Sequence, residues 1–318
     1  MTELAPEAHA RPLVVVALGG NALARRGEPL DADRQRARLR EAAGALAEIA
    51  REHRLVVTHG NGPQVGLLAL QAAAVPGVAA APLDVLGAES EGMIGYWIEQ
   101  ELSNALPGAE VATLLTRVEV DPDDPAFARP TKPIGPVYAP AEGRRIAAAR
   151  GWAMAEDRGG LRRVVASPEP RRILELRTIA LLVAAGVLVV CGGGGGIPVV
   201  RGADGGLRGV EAVIDKDRSA ALLAQGLAAD RLLLLTDVDA VYADWPEPAR
   251  RPIRSARAGE LDPAAFDAGS MAPKLDAARR FVSAGGRSAH IGALSQAADV
   301  LASRAGTEIL PALRASQL

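Results

Sequence analysis

Lys132, Lys216 and Lys274 are the only lysines in a chain whose 36 basic residues are otherwise all arginine. Arginine serves wherever a positive charge is merely useful, so the three retained ammonium groups ask for a separate reason. Each stands in a marked segment: Thr131-Lys132-Pro133-Ile134-Gly135-Pro136, Asp215-Lys216-Asp217, and Gly269-Ser270-Met271-Ala272-Pro273-Lys274. A compact ammonium meets one or two phosphate oxygens as a point charge in a tight pocket, which a planar guanidinium does less well. The expectation is that the three converge on a transferring phosphoryl group, with Asp217 orienting lysine side chains. Taken alone, Asp215-Lys216-Asp217 is equally a capping aspartate beside a surface lysine at a helix start.

Two glycine turns supply the complementary chemistry. Gly19-Gly20-Asn21 follows the apolar run Leu13 to Leu18, and Gly60-Asn61-Gly62 follows Leu55 to Thr58. Turns directly after buried strands expose backbone N–H groups at the carboxyl edge of a sheet, where ligands of open α/β folds bind. Such N–H groups and a following helix start can nest phosphate oxygens. Either turn alone is an ordinary strand–helix connection; two in succession favour a ligand site. Thr236-Asp237-Val238-Asp239-Ala240-Val241-Tyr242 closes another apolar strand, and could hold a base or ribose or be a plain turn. The common nucleotide fingerprints are missing. No G-x-x-x-x-G-K-[ST] occurs, and Gly192 to Gly196 runs into Ile197 and Pro198, which breaks G-x-G-x-x-G. No G-x-S-x-G elbow occurs either.

The elements that must position these groups follow an α/β rhythm. Strands are expected at Leu13–Leu18, Leu55–Thr58, Val111–Leu115, Val187–Cys191, Arg231–Thr236 and Arg287–Ile291, with Gly306–Leu310 as an edge strand. Helices are expected near Ala32–Arg51, from Pro63, and over Asp84–Leu106, Arg171–Ala185, Asp215–Leu227, Lys274–Ala284 and Gln296–Ser303. Continuous apolar strands alternating with helices imply a largely parallel sheet covered on both faces. From about Glu119 to Arg163 prolines are frequent and apolar periodicity is weak, which reads as an excursion from the sheet.

Bulk properties exclude several classes. A net charge of −2 gives no drive toward nucleic acid or acidic membranes. Arg34, Arg36, Arg38 and Arg40 are spread around a helix and read as a solvated face. One cysteine, Cys191, excludes an intramolecular disulfide framework and a cysteine zinc site, and its place at the end of an apolar run suggests a buried strand terminus. The four histidines show no metal-binding spacing. Glu3 and Glu7 precede any apolar run, so no secretory signal is read and a cytoplasmic location is expected. Thr178 to Val200 is uncharged and long enough to span a bilayer, but Gly186, Gly192 to Gly196 and Pro198 fit a helix end, a buried strand and a loop.

In fixed order these segments resemble the amino-acid kinase superfamily, and most closely its carbamate-kinase branch. The resemblance runs from about Leu13 to Leu310. It is carried by Ala17 to Ala22, His59 to Gly66, Gly92 to Trp97, Thr131 to Pro136, Gly192 to Pro198, Gly209 to Asp217, Thr236 to Tyr242 and Gly269 to Lys274. It implies a three-layer α/β/α sandwich, a homodimer, and reversible phosphoryl transfer between ATP and carbamate to give ADP and carbamoyl phosphate. An N-terminal half, 12–185, would hold the acceptor and include a protruding subdomain at about 118–165. A C-terminal half, 186–311, would hold the nucleotide.

By the same resemblance Lys132, Lys216, Asp217 and Lys274 are the catalytic candidates. Gly19, Gly20, Asn21, Gly60, Asn61 and Gly62 would bind phosphate and acceptor; Lys216, Thr236, Asp237, Tyr242, Met271 and Lys274 would bind the nucleotide. Mg²⁺ would bridge phosphate oxygens of the nucleotide, with protein ligands that the motifs do not name. Other superfamily members carry a lysine where this chain has Ala17, so Lys132 would supply the charge the first strand lacks. Carbamate is already deprotonated, so no general base is expected. Glu89-Ser90-Glu91 and Cys191 depart from the usual pattern beside the acceptor pocket. A kinase for another small carboxylate or phosphonate, and a non-catalytic nucleotide sensor, are the competing readings.

Overall fold

The computed structural model describes residues 11–20, 23, 30–74, 80–157, 159–245, 247, 249–267 and 270–313. β1 (Leu13–Leu18), α1 (Ala32–Ala50), β2 (Arg54–His59) and α2 (Gly62–Ala72) make the first two strand–helix units. α3 (Leu83–Ala105) leads into β3 (Val111–Leu114) and β4 (Arg117–Val120). The chain then leaves for β5 (Lys132–Tyr138), α4 (Pro140–Arg150), β6 (Met154–Asp157) and β7 (Gly160–Val165). It returns through β8 (Pro170–Ile173), α5 (Leu176–Ala184), β9 (Leu188–Cys191), β10 (Ile197–Arg201) and β11 (Leu207–Gly209). α6 (Lys216–Gly226), β12 (Arg231–Thr236), the hairpin β13 (Val241–Ala243) and β14 (Arg251–Ile253), and β15 (Ser255–Arg257) follow. α7 (Met271–Ser283), β16 (Ser288–Ala293), α8 (Ala297–Leu301) and β17 (Thr307–Leu310) complete it.

The main sheet has the order β15-β17-β16-β12-β1-β2-β9-β3. β16, β12, β1, β2, β9 and β3 run parallel, and β17 is antiparallel to β16. Strand alternation explains why it is covered on both faces. In β1, Leu13, Val15 and Ala17 enter a core with Ile179, Leu223, Leu275 and Phe281 of α5, α6 and α7. Val14, Val16 and Leu18 enter a second core with Leu39, Leu46, Ile94 and Ile98 of α1 and α3 and Val300 of α8. Every β1 side chain is buried, so no polar alternation remains. The result is a three-layer α/β/α sandwich.

Outside that sheet, β11-β10-β4-β8 form one small sheet and β5-β7-β6 another, against which α4 packs. No helix among the described residues is long and apolar enough to cross a membrane. Thr178 to Val200 instead passes through α5, β9, a glycine turn and β10.

Three expectations are corrected. Arg171 does not open a helix: Pro170–Ile173 is a strand that pairs antiparallel with β4, with Arg172 bonded to Glu119 across the ladder and Ile173 buried, and α5 starts only at Leu176. β17 is not an edge, because β15, whose Ser-Ala-Arg gives no apolar signal, lies outside it. α7 begins at Met271, three residues before Lys274, since Pro273 is tolerated in a first helical turn.

Candidate active site

Parallel strands place all their carboxyl ends on one side, so the turns after β1, β2, β9 and β12 meet there. Registers align Leu18 with His59 and with Leu235. The Gly19 N–H donates to Leu235 O at 2.9 Å and the Gly60 N–H donates to Leu18 O at 3.0 Å. The expectation that these two N–H groups cradle an anion is therefore corrected; both are committed to the sheet. The glycines serve by closeness instead. A Cβ on Gly19 would lie 2.9 Å from Leu235 O, and one on Gly60 would lie 3.1 Å from Gly20 N.

The three lysines come together from three elements. Asp215 caps α6, accepting from the N–H groups of Asp217 at 3.0 Å and Arg218 at 3.2 Å. Its other oxygen accepts from Lys132 Nζ at 2.5 Å, across 83 residues of chain. Lys216 Nζ donates to Asp217 Oδ1, and Lys274 Nζ donates to Asp217 Oδ2 at 2.9 Å. Asp217 and Lys274 are buried, where an unpaired charge would be costly.

Electrostatics follow from that sharing. Burial works to raise the Asp217 carboxyl, but Lys216 and Lys274 hold it far below the ordinary carboxylate range. Burial also works against ionised Asp215, and Lys132 outweighs it, leaving its pKa low. Burial pushes the Lys216 ammonium below its ordinary value despite Asp217. For Lys274, burial is overridden by Asp217, with help from Asp215 and Asp237, and its pKa is raised.

A cavity of about 170 Å³ opens on this cluster, lined by Gly20, Gly60, Asn61, Gly62, Lys132, Gly194 and Lys216 among others. It lies below the roughly 300 Å³ at which drug-sized ligand sites begin, and suits a small anion. Lys132 is carried in by β5, which docks on α2 through a backbone contact. A Cβ on Gly66 would lie 2.0 Å from Gly135 Cα, and Gly135 has φ +70°. Only glycine allows that approach at both places.

Behind the cavity, Asn61 and several residues that are not among the site candidates hold its wall. Asn61 Nδ2 donates to Ser90 Oγ at 2.8 Å, and a Cβ on Gly194 would strike the Asn61 amide at 2.2 Å. Gly192 donates to Thr116 Oγ1 at 2.9 Å and accepts from Thr58 Oγ1 at 2.7 Å. Gly193 donates to Glu91 Oε1 at 2.9 Å. His59, fully buried, donates from Nδ1 to Gly60 O at 3.1 Å while Nε2 has no partner among the described residues. Burial, with Lys216 adding to it, lowers its pKa to about 4, so the imidazole is neutral. Cys191 is buried at its strand end, with a thiol pushed up by burial and by Glu91. Nothing in their spacing marks Glu91 or His59. The departure at Glu91 and the neighbouring Gly60 were the available signals.

The remaining candidates lie apart from the cavity lining. Thr236 Oγ1 donates to Asp237 at 3.1 Å, and Met271 packs against the core. Tyr242 donates to Asp239 at 2.9 Å, with its ring centroid 6.1 Å from that of Trp245 and Arg250 placed over both rings. Asn21 lies outside the described residues. Among the described residues, no group of three or more His, Cys, Asp or Glu side chains is arranged to hold a metal ion.

Comparison with known proteins identifies the family. The model of the amino acid kinase family matches residues 12–293. The chain is 54% identical over 299 residues to a carbamate kinase of Rhizobium meliloti, covering 93% of this chain and 92% of that one. It is 54% identical over 294 residues to a carbamate kinase of Escherichia coli K12, covering 92% and 98%. A solved carbamate kinase of Giardia lamblia bound to AMP-PNP superposes with a TM-score of 0.86 at 40% identity, covering 95% of this chain and 99% of that one. The chain is a phosphotransferase that belongs to the amino acid kinase family, within its carbamate-kinase branch.

Proposed function

We propose that the protein transfers a phosphoryl group reversibly between ATP and carbamate, giving ADP and carbamoyl phosphate. The observation that carries this reading is that Lys132 and Lys216 line one small cavity, held by Asp215 and Asp217, while Lys274 shares Asp217 with Lys216 behind it. Carbamate is anionic before reaction, so no proton has to be removed from the attacking oxygen. The work left to the protein is to hold two anions in line and to offset charge on the equatorial oxygens. Lys132 would sit over the acceptor, and Lys216 and Lys274 would meet the nucleotide phosphates, held at their spacing by Asp217. N–H groups around Gly20 and Gly62 would cradle the group in transit. His59 is a weak base, because burial lowers its pKa to about 4, and it is fully enclosed.

The halves 12–185 and 186–311 would hold acceptor and nucleotide, with 118–165 as the part that brings Lys132 in. Asp237, close to Lys274, and Thr236, Tyr242 and Met271 would lie along the nucleotide. Because Asp215 and Asp217 are committed to lysines, a Mg²⁺ would arrive on the nucleotide phosphates rather than on a ligand set of the protein's own. That ion would neutralise phosphate charge. A homodimer through the β3 edge is supported by Tyr96 and Leu115, which are exposed large side chains on α3 and just after β3; light scattering on the purified protein checks it. The activity is tested by supplying ADP, Mg²⁺ and carbamoyl phosphate to folded protein. ATP should form, and its absence would sink the proposal.

A further inference from the structure

The pocket wall hangs on two adjacent residues of α3 that the phosphoryl-transfer chemistry itself does not use. Ser90 accepts from the side-chain amide of Asn61 and donates to Gly87 O at 2.9 Å, which fixes the amide against Gly194. Glu91 accepts from the N–H of Gly193 at 2.9 Å and, more weakly, from that of Thr116 at 3.4 Å. Gly193 is enclosed: a Cβ there would lie 2.3 Å from His59 Nε2 and 3.0 Å from Glu91 Cγ. Two pocket-lining residues, Asn61 and Gly194, are thus placed through one turn of one helix.

The unusual partner is Glu91. Its side chain is buried, and among the described residues it pairs with backbone N–H groups rather than with a lysine or arginine. The groups that face it offer no compensating cation. They are Cys191 at the end of β9, Glu175 before α5, and the neutral ring of His59 on β2, with Lys216 beyond that ring. A carboxylate here would set an uncompensated negative charge behind a cavity meant for anions.

We propose that Ser90 and Glu91 are positioning residues of the acceptor pocket, that Glu91 works as an uncharged acid holding Gly193, and that its ionisation weakens the pocket's grip on an anion. Burial, together with the Glu175 charge, raises its pKa to about 8 against the lowering effect of the N–H groups of Thr116 and Gly193, so the switch falls just above neutrality. The inference rests on the acceptor reading given above.

The test follows the KM for carbamoyl phosphate, in ATP formation from ADP and Mg²⁺, between pH 7 and 9.5. In the native protein it should rise on the order of tenfold across that range, with kcat changing less. Glu91→Gln keeps an acceptor for Gly193 and cannot ionise, so its profile should stay flatter. Any loss of charge on Lys216 is common to both proteins, and the difference between them isolates Glu91. Ser90→Ala should raise KM at every pH while keeping the native slope. Superimposable native and Glu91→Gln profiles would overturn the proposal. If neither protein formed ATP, the acceptor reading would fail, yet sulfate would still decide the Glu91 assignment. Its stabilisation of the protein against heat should fall from pH 7 to pH 9 by more in the native protein than in Glu91→Gln; an equal fall in the two would count against it. Should Glu91→Gln not fold, the native protein alone decides: a glutamate carboxyl ¹³C resonance should titrate near pH 8, and titration of all of them near the ordinary 4.5 contradicts the assignment.

Discussion

Asp217 lets Lys216 and Lys274 lie side by side, because one carboxylate meets both ammonium groups with separate oxygens. Removing it leaves two buried cations without their partner, a change that costs on the order of 3–5 kcal/mol in comparable buried pairs. Asp217→Asn should therefore lower both the melting temperature and kcat, the latter by about a hundredfold or more. Adding Lys274→Met should restore part of the stability and none of the turnover; calorimetry and the ATP-formation assay read the two. The lysines should also separate by role. Lys132→Ala should mainly depress kcat, while Lys274→Ala should also raise the KM for ADP, and the same kinetic defect in both would remove the distinction. At this scale the lysine site was legible, because an arginine-rich composition made three ammonium groups conspicuous. Asp215 was visible only as a neighbour of Lys216; its bond to Lys132 spans the fold and no local pattern announces it. Glu91 and His59 are ordinary in type and spacing, and their burial is what gives them a role.

At the scale of elements, the decisive contact is between α2 and β5. Gly66 and Gly135 touch backbone to backbone, and that contact sets how far Lys132 reaches over the cavity. Gly66→Ala adds a methyl where the nearest atom would be 2.0 Å away, so β5 must move. The expected result is a loss of about 1–3 kcal/mol in stability and a kcat at least tenfold lower, with the KM for ADP changed less. Native kinetics in Gly66→Ala would mean that the β5 position does not matter. Both glycines stand in segments that the sequence singled out, although the reason for them, a contact over a long separation, was not readable there. Strand–helix units with apolar strands were readable, since burial on both faces erases polar alternation. β8 reads locally as part of a helix because its arginines find their partners elsewhere, in Glu119 on β4 and Asp121 just after it, which the local sequence does not reveal. β15 is three residues long and gains its place only from β17.

For the whole molecule, pH should act through three buried groups. Burial, followed in effect by Arg231, lowers the pKa of His290 to about 4, as burial does for His59. Unfolding lets both histidines take up protons below their ordinary pKa of about 6.5, so each adds stability that is present above that value and is lost as pH falls toward 4, on the order of 3 kcal/mol apiece. Glu91 acts in the opposite sense. Its folded pKa is raised to about 8, so its contribution is intact below pH 4.5 and declines as pH rises to 8. Two groups gain and one loses between pH 4.5 and 6.5, and only the loss continues above it. The melting temperature should therefore peak near pH 6.5 and fall toward pH 8, with the alkaline fall reduced in Glu91→Gln. A flat profile in the native protein from pH 5 to 8 would contradict this.

The central claim is that three ammonium groups from distant parts of the chain act on one migrating phosphoryl group. It is tested most directly by ATP formation from ADP, Mg²⁺ and carbamoyl phosphate in the native protein and in Lys132→Ala, Lys216→Ala and Lys274→Ala. The account predicts ATP from the native protein and a loss of about a hundredfold or more in kcat/KM in each variant that stays folded. ATP formation at the native rate by any folded variant would contradict it.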